Sequence, residues 1–323
     1  MHGTALRRPT PPRPADLTHL KPSDPRGGCL VVSCLVLTLA GIALSLRGGA
    51  VSWAVGQALT AAALVQWFVI LHECGHETLF RTRRWHRLIG PIAGAFAAIP
   101  FASWTRIHRR HHKWTGWQDL DPTAVSLLPR RRSPLELAVV NLAWRLWLPL
   151  FAVMYRLSNY WHLPRLRRMF PAAQDRRAIT GSIAALAGLY LALGAAAGVA
   201  TALRAAGLAV VLSFAIEDLL LLSQHAHVPH HVSAGNVVRP FPAMEQDVFT
   251  RSLRLPSWVS AWLLHFDAHE LHHMYPFVPG YHLRAIAHRT DHEIGWWEWI
   301  RRAKALPGEV LLFQNRDDSG WDL

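Results

Sequence analysis

The sequence predicts an all-α membrane protein with four transmembrane helices and a cytoplasmic, histidine-rich helical cap. Three observations predict it: long uncharged apolar blocks, arginines gathered beside those blocks, and histidines repeated at helical spacing. With 323 residues, 51% hydrophobic and 17% charged, composition alone would allow one large soluble domain. The placement of the apolar residues excludes it.

In chain order, Met1 to Gly28 is proline-rich and basic and lacks a short apolar core followed by a small-residue cleavage site, so it reads as a disordered basic cytoplasmic tail (1–28) and not a signal peptide. Cys29 to Leu46 carries no charge for 18 residues and Val51 to Leu71 none for 21. Each approaches the about 20 residues that cross a bilayer. Leu88 to Trp104 is short, with Pro91 and Pro100 near its ends, and fits a re-entrant or interfacial hairpin. Leu135 to Tyr155 is long enough to span, but Asn141, Arg145 and Pro149 interrupt it, so it is expected to lie on the surface. Two further blocks, Ile179 to Leu203 and Ala205 to Ile216 continuing past Glu217 and Asp218, complete four crossings, with short turns expected around Arg47 to Gly49 and around Arg204. Residues 29–305 are thus expected to form one membrane domain with its cap, and 306–323 a polar C-terminal tail.

The net charge of +13 is compatible with nucleic acid, yet the arginines flank the apolar blocks: Arg7, Arg8 and Arg13 in the tail, then Arg81 to Arg87, Arg130 to Arg132, Arg165 to Arg168, Arg176 and Arg177. Four crossings place all of them on one side, which the positive-inside rule makes the cytoplasm, together with both termini. The charge then reads as a rim for anionic lipid, and no nucleic-acid partner is expected. Cys29, Cys34 and Cys74 form neither a disulfide framework nor a Cys-x-x-Cys site.

Nine histidines carry the chemistry: His72 and His76; His108, His111 and His112; His225; and His269, His272 and His273. Residues three or four apart share a helix face, so each box aims its imidazoles at a common point. Neutral imidazole is the commonest metal nitrogen ligand, and nine exceed one tetrahedral site, so a two-metal site is the natural count. Parity agrees, because a fifth crossing would strand His225 and the last box opposite the first two. In Gln224-His225-Ala226-His227 either His225 or His227 can be the isolated ligand. Asp218, two helical turns before His225, is placed to orient a ligand or line a cavity.

Other readings compete. His72-Glu73-Cys74-Gly75-His76 and His269-Glu270-Leu271-His272-His273 satisfy the His-Glu-x-x-His signature of zinc proteases, but an intramembrane protease would leave the second box idle. Glu73 with His76 and Glu270 with His273 also fit Glu-x-x-His ligation in soluble di-iron bundles; both glutamates are assigned here to orienting or solvent roles. A metal transporter should carry its histidines within crossing segments, whereas these fall at helix ends and in loops. Asp119-Leu120-Asp121-Pro122 reads as a turn whose aspartates can bond ligand imidazoles. His227, His230, His231 and His265 are not counted as ligands, and the 15 tryptophans are ascribed to interfacial belts.

From Leu64 to Tyr281 the chain resembles the integral membrane fatty acid desaturases, whose pattern is one His-x(3 or 4)-His box followed by two His-x-x-His-His boxes. The wording HECGH, HRRHH and QHAHVPH, with HELHH followed by MYPFVPGYH, looks most like the acyl-lipid members. The resemblance implies two Fe ions held by the nine histidines on the cytoplasmic side, O2 as co-substrate, and insertion of a double bond into a fatty acyl chain carried on lipid, ACP or CoA. Similar enzymes hydroxylate, ketolate or decarboxylate with the same boxes. The chain shows no cytochrome b5 segment and no rubredoxin-like cysteine pairs, so the resemblance implies electrons from a separate ferredoxin- or cytochrome-type partner.

Overall fold

The computed structural model describes residues 11–288, 292–321 and 323; Arg7 and Arg8 of the expected tail lie outside them. Four helices are long and apolar enough to cross a membrane: α1 (Asp24–Arg47), α2 (Ala50–His76), and, after a series of shorter helices, α8 (Ala173–Ala197) and α9 (Val199–His225). Between them lie α3 (Arg83–Phe96), α4 (Phe101–Trp114), α5 (Pro134–Leu146), α6 (Leu150–Arg156) and α7 (Leu163–Met169). After them come α10 (Ser257–Trp262), α11 (His269–Met274), α12 (Trp296–Ala305), α13 (Gly308–Phe313) and α14 (Arg316–Ser319). The only sheet among the described residues is one parallel pair of two-residue strands, β1 (Leu253–Arg254) and β2 (Ile294–Gly295), with Leu253 opposite Ile294.

The α1–α2 hairpin closes because small residues let the backbones meet. A Cβ at Gly56 would fall 2.5 Å from the Ser45 nitrogen, and one at Gly41 would fall 2.4 Å from Thr60 Oγ1. Several polar side chains inside this apolar layer pair across it. Trp67 Nε1 donates to Thr38 Oγ1 at 2.9 Å, and Gln57 Nε2 donates to Ser45 Oγ at 2.9 Å and to the Arg204 carbonyl at 3.0 Å. The C-terminal ends of α2 and α9 lie at the same end of the bundle, since His72 of α2 meets His272 and His225 of α9 meets His269, both on α11.

The two interrupted stretches are bent pairs: α3 and α4 meet at 97°, and α5 meets the helix from Leu150 to Trp161 at 120°. The first bend follows from Ala98, which takes φ +55°, and from Pro100, which opens α4 without an amide N–H to give. Arg156 holds this bend to the bundle. Its Nε donates to the Ala97 carbonyl at 2.9 Å, its guanidinium pairs with Glu217 of α9, and it stacks on Phe214 at 3.9 Å. Asp218 accepts the Ala152 backbone N–H and so ties α6 to α9.

Three expectations need correction. The break between the last two spans is at Gly198, not Arg204, because Gly198 adopts φ +79°, which an L side chain resists; Arg204 lies inside α9. Residues 11–28 are not a disordered tail. Leu17 is buried with Leu271, Tyr275 and Val278, Tyr275 Oη donates to the Pro12 carbonyl at 2.7 Å, and Ser23 caps an α1 that starts at Asp24. Nor is 306–323 a free polar tail: Leu311 is fully buried and α13 packs on α5, with the Glu309 backbone N–H donating to Asn141 Oδ1 at 2.9 Å. In both tails a few apolar residues suffice to anchor a mostly polar segment.

Replacing Arg156 by methionine leaves the Glu217 carboxylate buried without its partner, and is expected to destabilise the protein by about 3–5 kcal/mol. Unfolding in detergent micelles measures it; an unchanged midpoint would mean the pair does not clamp α4 to α9.

Candidate metal centre

Each histidine box is presented by one helix end. His72 and His76 occupy the last turns of α2, His108, His111 and His112 the second half of α4, His225 the last position of α9, and His269, His272 and His273 the whole of α11. All nine sequence-predicted histidines converge. His72, His76, His108 and His272 form one group and His111, His225, His269 and His273 a second, the donor nitrogens within each group lying within 4.8 Å of one another. His112 stands between the groups. Its Nε2 is 3.1 Å from His108 Nε2 and 3.0 Å from His272 Nε2, and its ring stacks on His273 at 4.3 Å. The first and last boxes, 200 residues apart, meet with the His72 and His272 rings 4.4 Å between centroids.

The backs of three rings are held by acceptors. His111 Nδ1 lies 2.7 Å from Asp121 Oδ2, His273 Nδ1 lies 3.0 Å from Gln246 Oε1, and His72 Nδ1 lies 3.2 Å from Glu73 Oε1. A carboxylate or an amide oxygen only accepts, so these contacts assign the N–H to Nδ1 and leave the lone pair on Nε2. Of these, His72 Nε2 is buried with no hydrogen-bond partner and His273 Nε2 lies 3.1 Å from His269 Nε2, while among the other rings the Nε2 atoms of His225 and His269 approach to 2.7 Å and those of His76 and His108 to 2.8 Å. Lone pairs aimed at one point are the donor set of a cation, and the residues fit two metal ions. Imidazole suits zinc, copper, iron and nickel alike, so the donor set specifies metal before it specifies which.

Electrostatics agree. Burial pushes His269, His272 and His273 well below the ordinary histidine range, with neighbouring imidazoles adding to the effect. The rings therefore stay neutral, as ligands must.

The remaining readings resolve by contact. Glu73 Oε2 accepts Thr78 Oγ1 and the Gly280 N–H, each at 2.8 Å, so both of its oxygens are engaged on the outer side of His72 and neither is placed to activate a water as a protease would need. Glu270 Oε1 accepts the His292 N–H at 3.1 Å and takes no part in the donor set. Of the isolated pair, His225 joins a group, whereas His227 bonds Ser319 at 2.6 Å. Asp121 orients His111, while Asp119 instead takes both the backbone N–H and the hydroxyl of Ser233. Asp218 lines a cavity and touches no histidine. His230 and His265 stay outside both groups, on the His225 carbonyl and on Ser260.

Some contributors carried no sequence signal. Gln246 also donates to the His112 carbonyl at 2.8 Å, from a segment without periodicity. Trp104 stacks on His108 at 4.3 Å and fills the space over Gly75, where any Cβ would meet its ring at 1.9 Å. Gly75 is thus the reason α4 can lie against the first box. A cavity of about 270 Å³, lined by His76, His108, His112, Arg109 and Pro276 among others, opens onto the first group.

Asp121→Ala is expected to weaken binding of a divalent transition metal about 10–100-fold, read by chelator competition; unaltered affinity would remove Asp121 from the site. Because the buried rings resist protonation in the folded state only, the unfolded chain binds more protons below pH of about 6.5. The metal-free protein should therefore lose stability as pH falls through that value, and a flat profile from pH 8 to 5 in thermal unfolding would contradict it.

Comparison with known sequences agrees with this geometry. The profile of the family described as fatty acid desaturase matches residues 50–300. A "Fatty acid desaturase" of Bacillus subtilis is 26% identical over 247 residues, 74% of this chain and 68% of that protein. An "Omega-6 fatty acid desaturase, endoplasmic reticulum isozyme 2" of Glycine max is 27% identical over 276 residues, 74% of this chain and 65% of the relative. An "sn-2 acyl-lipid omega-3 desaturase (ferredoxin), chloroplastic" of Helianthus annuus is 23% identical over 290 residues, 86% and 64% of the two chains. The match therefore spans about two thirds of these relatives' length. With a match over most of its length and three histidine boxes brought together at one end of its apolar helices, the chain belongs to the fatty acid desaturase family.

Proposed function

We propose that this protein is an O2-dependent membrane oxidoreductase that introduces a double bond into a fatty acyl chain. Two irons would be held by His72, His76, His108 and His272 and by His111, His225, His269 and His273, with His112 between them. The observation that carries the reading is the pair of buried four-imidazole groups in a chain of this family.

Iron bound there supplies redox chemistry with O2, which a methylene requires because its C–H has no useful acidity and no leaving group. The balance is fixed. The acyl –CH2–CH2– unit gives up two hydrogen atoms, O2 accepts these with two further electrons and two protons, and two waters leave. A ferredoxin- or cytochrome-type carrier supplies the electrons, in keeping with the ferredoxin in the sunflower relative's name. The acyl substrate follows the relatives' names in the same way.

The chain's own residues position and shield. Asp121, Glu73 and Gln246 fix ring orientation, so that little reorganisation accompanies turnover. Trp104 over His108, and Phe266 edge-on to His72 at 5.0 Å, keep bulk water from the inner side. The arginines at the histidine end of the helices support a cytoplasmic location for that end under the positive-inside rule.

Membranes containing the protein and a ferredoxin system are expected to gain acyl double bonds by mass spectrometry. His108→Ala, His112→Ala and His272→Ala should each lose them to background while remaining membrane-inserted, and Glu73→Gln should reduce the yield without abolishing it. Full activity in one histidine variant would strike that residue from the ligand set, and hydroxylated lipid in place of unsaturated lipid would overturn desaturation.

A further inference from the structure

α8 is the least enclosed of the four apolar helices, with 11% of its apolar stretch buried. Its inner side holds the helix that carries the second histidine box. Asp175 pairs with Arg106 of α4 at 2.8 Å, Ser182 Oγ accepts the Ala102 N–H at 3.3 Å, and Arg110 donates to the Met169 carbonyl at 3.5 Å. On its outer side Arg177, Gly181, Ala184, Gly188, Leu191 and Ala195 follow one another at steps of three and four residues, all of them exposed. A Cβ added at Gly181 or Gly188 would meet no other part of the chain within 4 Å. This face is shallow and unoccupied by protein.

At the head of that face lies an open hollow of about 490 Å³, lined by Arg167 of α7 and by Ala173, Arg176, Arg177, Thr180 and Gly181 of α8. The three arginines are exposed, and the only acid between residues 163 and 181, Asp175, is already taken by Arg106. Thr180 Oγ1 is shut off from solvent without a hydrogen-bond partner. α8 also opens at Ala173 with no capping side chain, so its first N–H groups lack an acceptor within the helix. Guanidinium groups, a hydroxyl and free N–H groups in one hollow suit an anion rich in oxygen. The hollow shares no lining residue with the cavities that border the histidines, so its occupant is not the group that reacts there. A second copy of the chain inserted in the same bilayer shares this orientation, and a two-fold contact through α8 would set like arginines against each other. An anionic phospholipid reverses that sign, with its phosphate on the guanidinium groups and a hydrocarbon tail along the small residues below.

We propose that the head of α8 is a binding site for one anionic phospholipid, its phosphate held by Arg167, Arg176 and Arg177 and one tail lying along Gly181, Ala184 and Gly188. The lipid steadies α4 from behind. Arg106 and Arg110 of α4 reach the same junction, so the bound phosphate offsets a concentration of positive charge that works against the contact between α4 and α8. The site is structural and independent of the reaction at the histidines.

The full chain is extracted in mild detergent from vesicles of phosphatidylcholine and phosphatidylglycerol, and retained lipid is counted by native mass spectrometry. A single phosphatidylglycerol is expected to stay on each chain in preference to phosphatidylcholine. The double variant Arg176→Gln with Arg177→Gln should lower that retention about tenfold; unchanged retention would overturn the site. Gly188→Leu keeps every charge and fills the face below, and should cut retention by more than half, whereas an unaffected count would overturn the placement of the tail. Millimolar inorganic phosphate should leave the lipid bound, and displacement by it would give the arginines to a free anion and overturn the lipid. A lipid-free dimer that Gly188→Leu abolishes would give the face to a second copy, with the same consequence. Phosphatidylglycerol added to the delipidated protein should raise the thermal midpoint of the wild type and not of the double variant. No rise, or an equal rise in both, would overturn the support of α4.

Discussion

The structure depends on a constraint on imidazole: a ring that presents Nε2 to a shared point must place its Nδ1–H elsewhere, and inside a protein that hydrogen needs an acceptor. For His111, His273 and His72 those acceptors are Asp121, Gln246 and Glu73, and each belongs to a segment with another task. Asp121 starts the turn after α4, where it also takes the backbone N–H of Thr123; Gln246 ties the loop before α10 to the His112 carbonyl; Glu73 pins Gly280. The acceptors therefore orient the rings and at the same time fasten the loops around them, so the cap and the donor geometry form together.

Below that cap the bundle obeys the complementary rule. Glycines at the α1–α2 contact, and Gln57, Thr38 and Trp67 bonded across it, give a closely packed apolar floor in which these three polar side chains find partners internally. The Arg156–Glu217 pair ties this floor sideways to the bend between α3 and α4. Since α4 supplies three of the nine histidines, the position of the second box is set by an ion pair well outside the donor set.

What the sequence made legible follows from periodicity. The four spans and the three boxes repeat residues at fixed intervals, and both survive in the structure within a few residues. The isolated His225 was legible only as one of two options, because nothing local distinguishes it from His227; the choice is made by Ser319, 92 positions on. Gly198 was passed over as the break since Arg204, further along the same apolar stretch, is the more conspicuous interruption, although backbone conformation, not charge, ends α8. The tails were misread for a similar reason. Leu17 and Leu311 are single apolar residues in polar surroundings, and single residues have no period, yet each fills a place in a buried cluster. Gln246 and Trp104 belong to the same class: their importance is in what they touch at long range.

The misread C-terminal segment bears on what borders the site. Were α13 a free tail, the space between α5, α6 and α9 would be an open trough. Packed against α5 through Asn141 and Glu309, it instead supplies Leu312 and Phe313 as a wall. The cleft so walled is mostly apolar, with Glu136 and Asp218 among its lining, and it shares Phe151, Tyr155 and Leu222 with a smaller cavity that His225 bounds. A short helix late in the sequence thereby completes a wall beside α5, α6 and α9. Its anchoring combines one pair of hydrogen bonds with Asn141, the close seating of Gly308 on Trp144, the cation–aromatic contact of Arg132 with Phe313, and Leu311 buried in a cluster with Trp299 and Leu306, so that a segment with few apolar residues is fixed by what each of them touches.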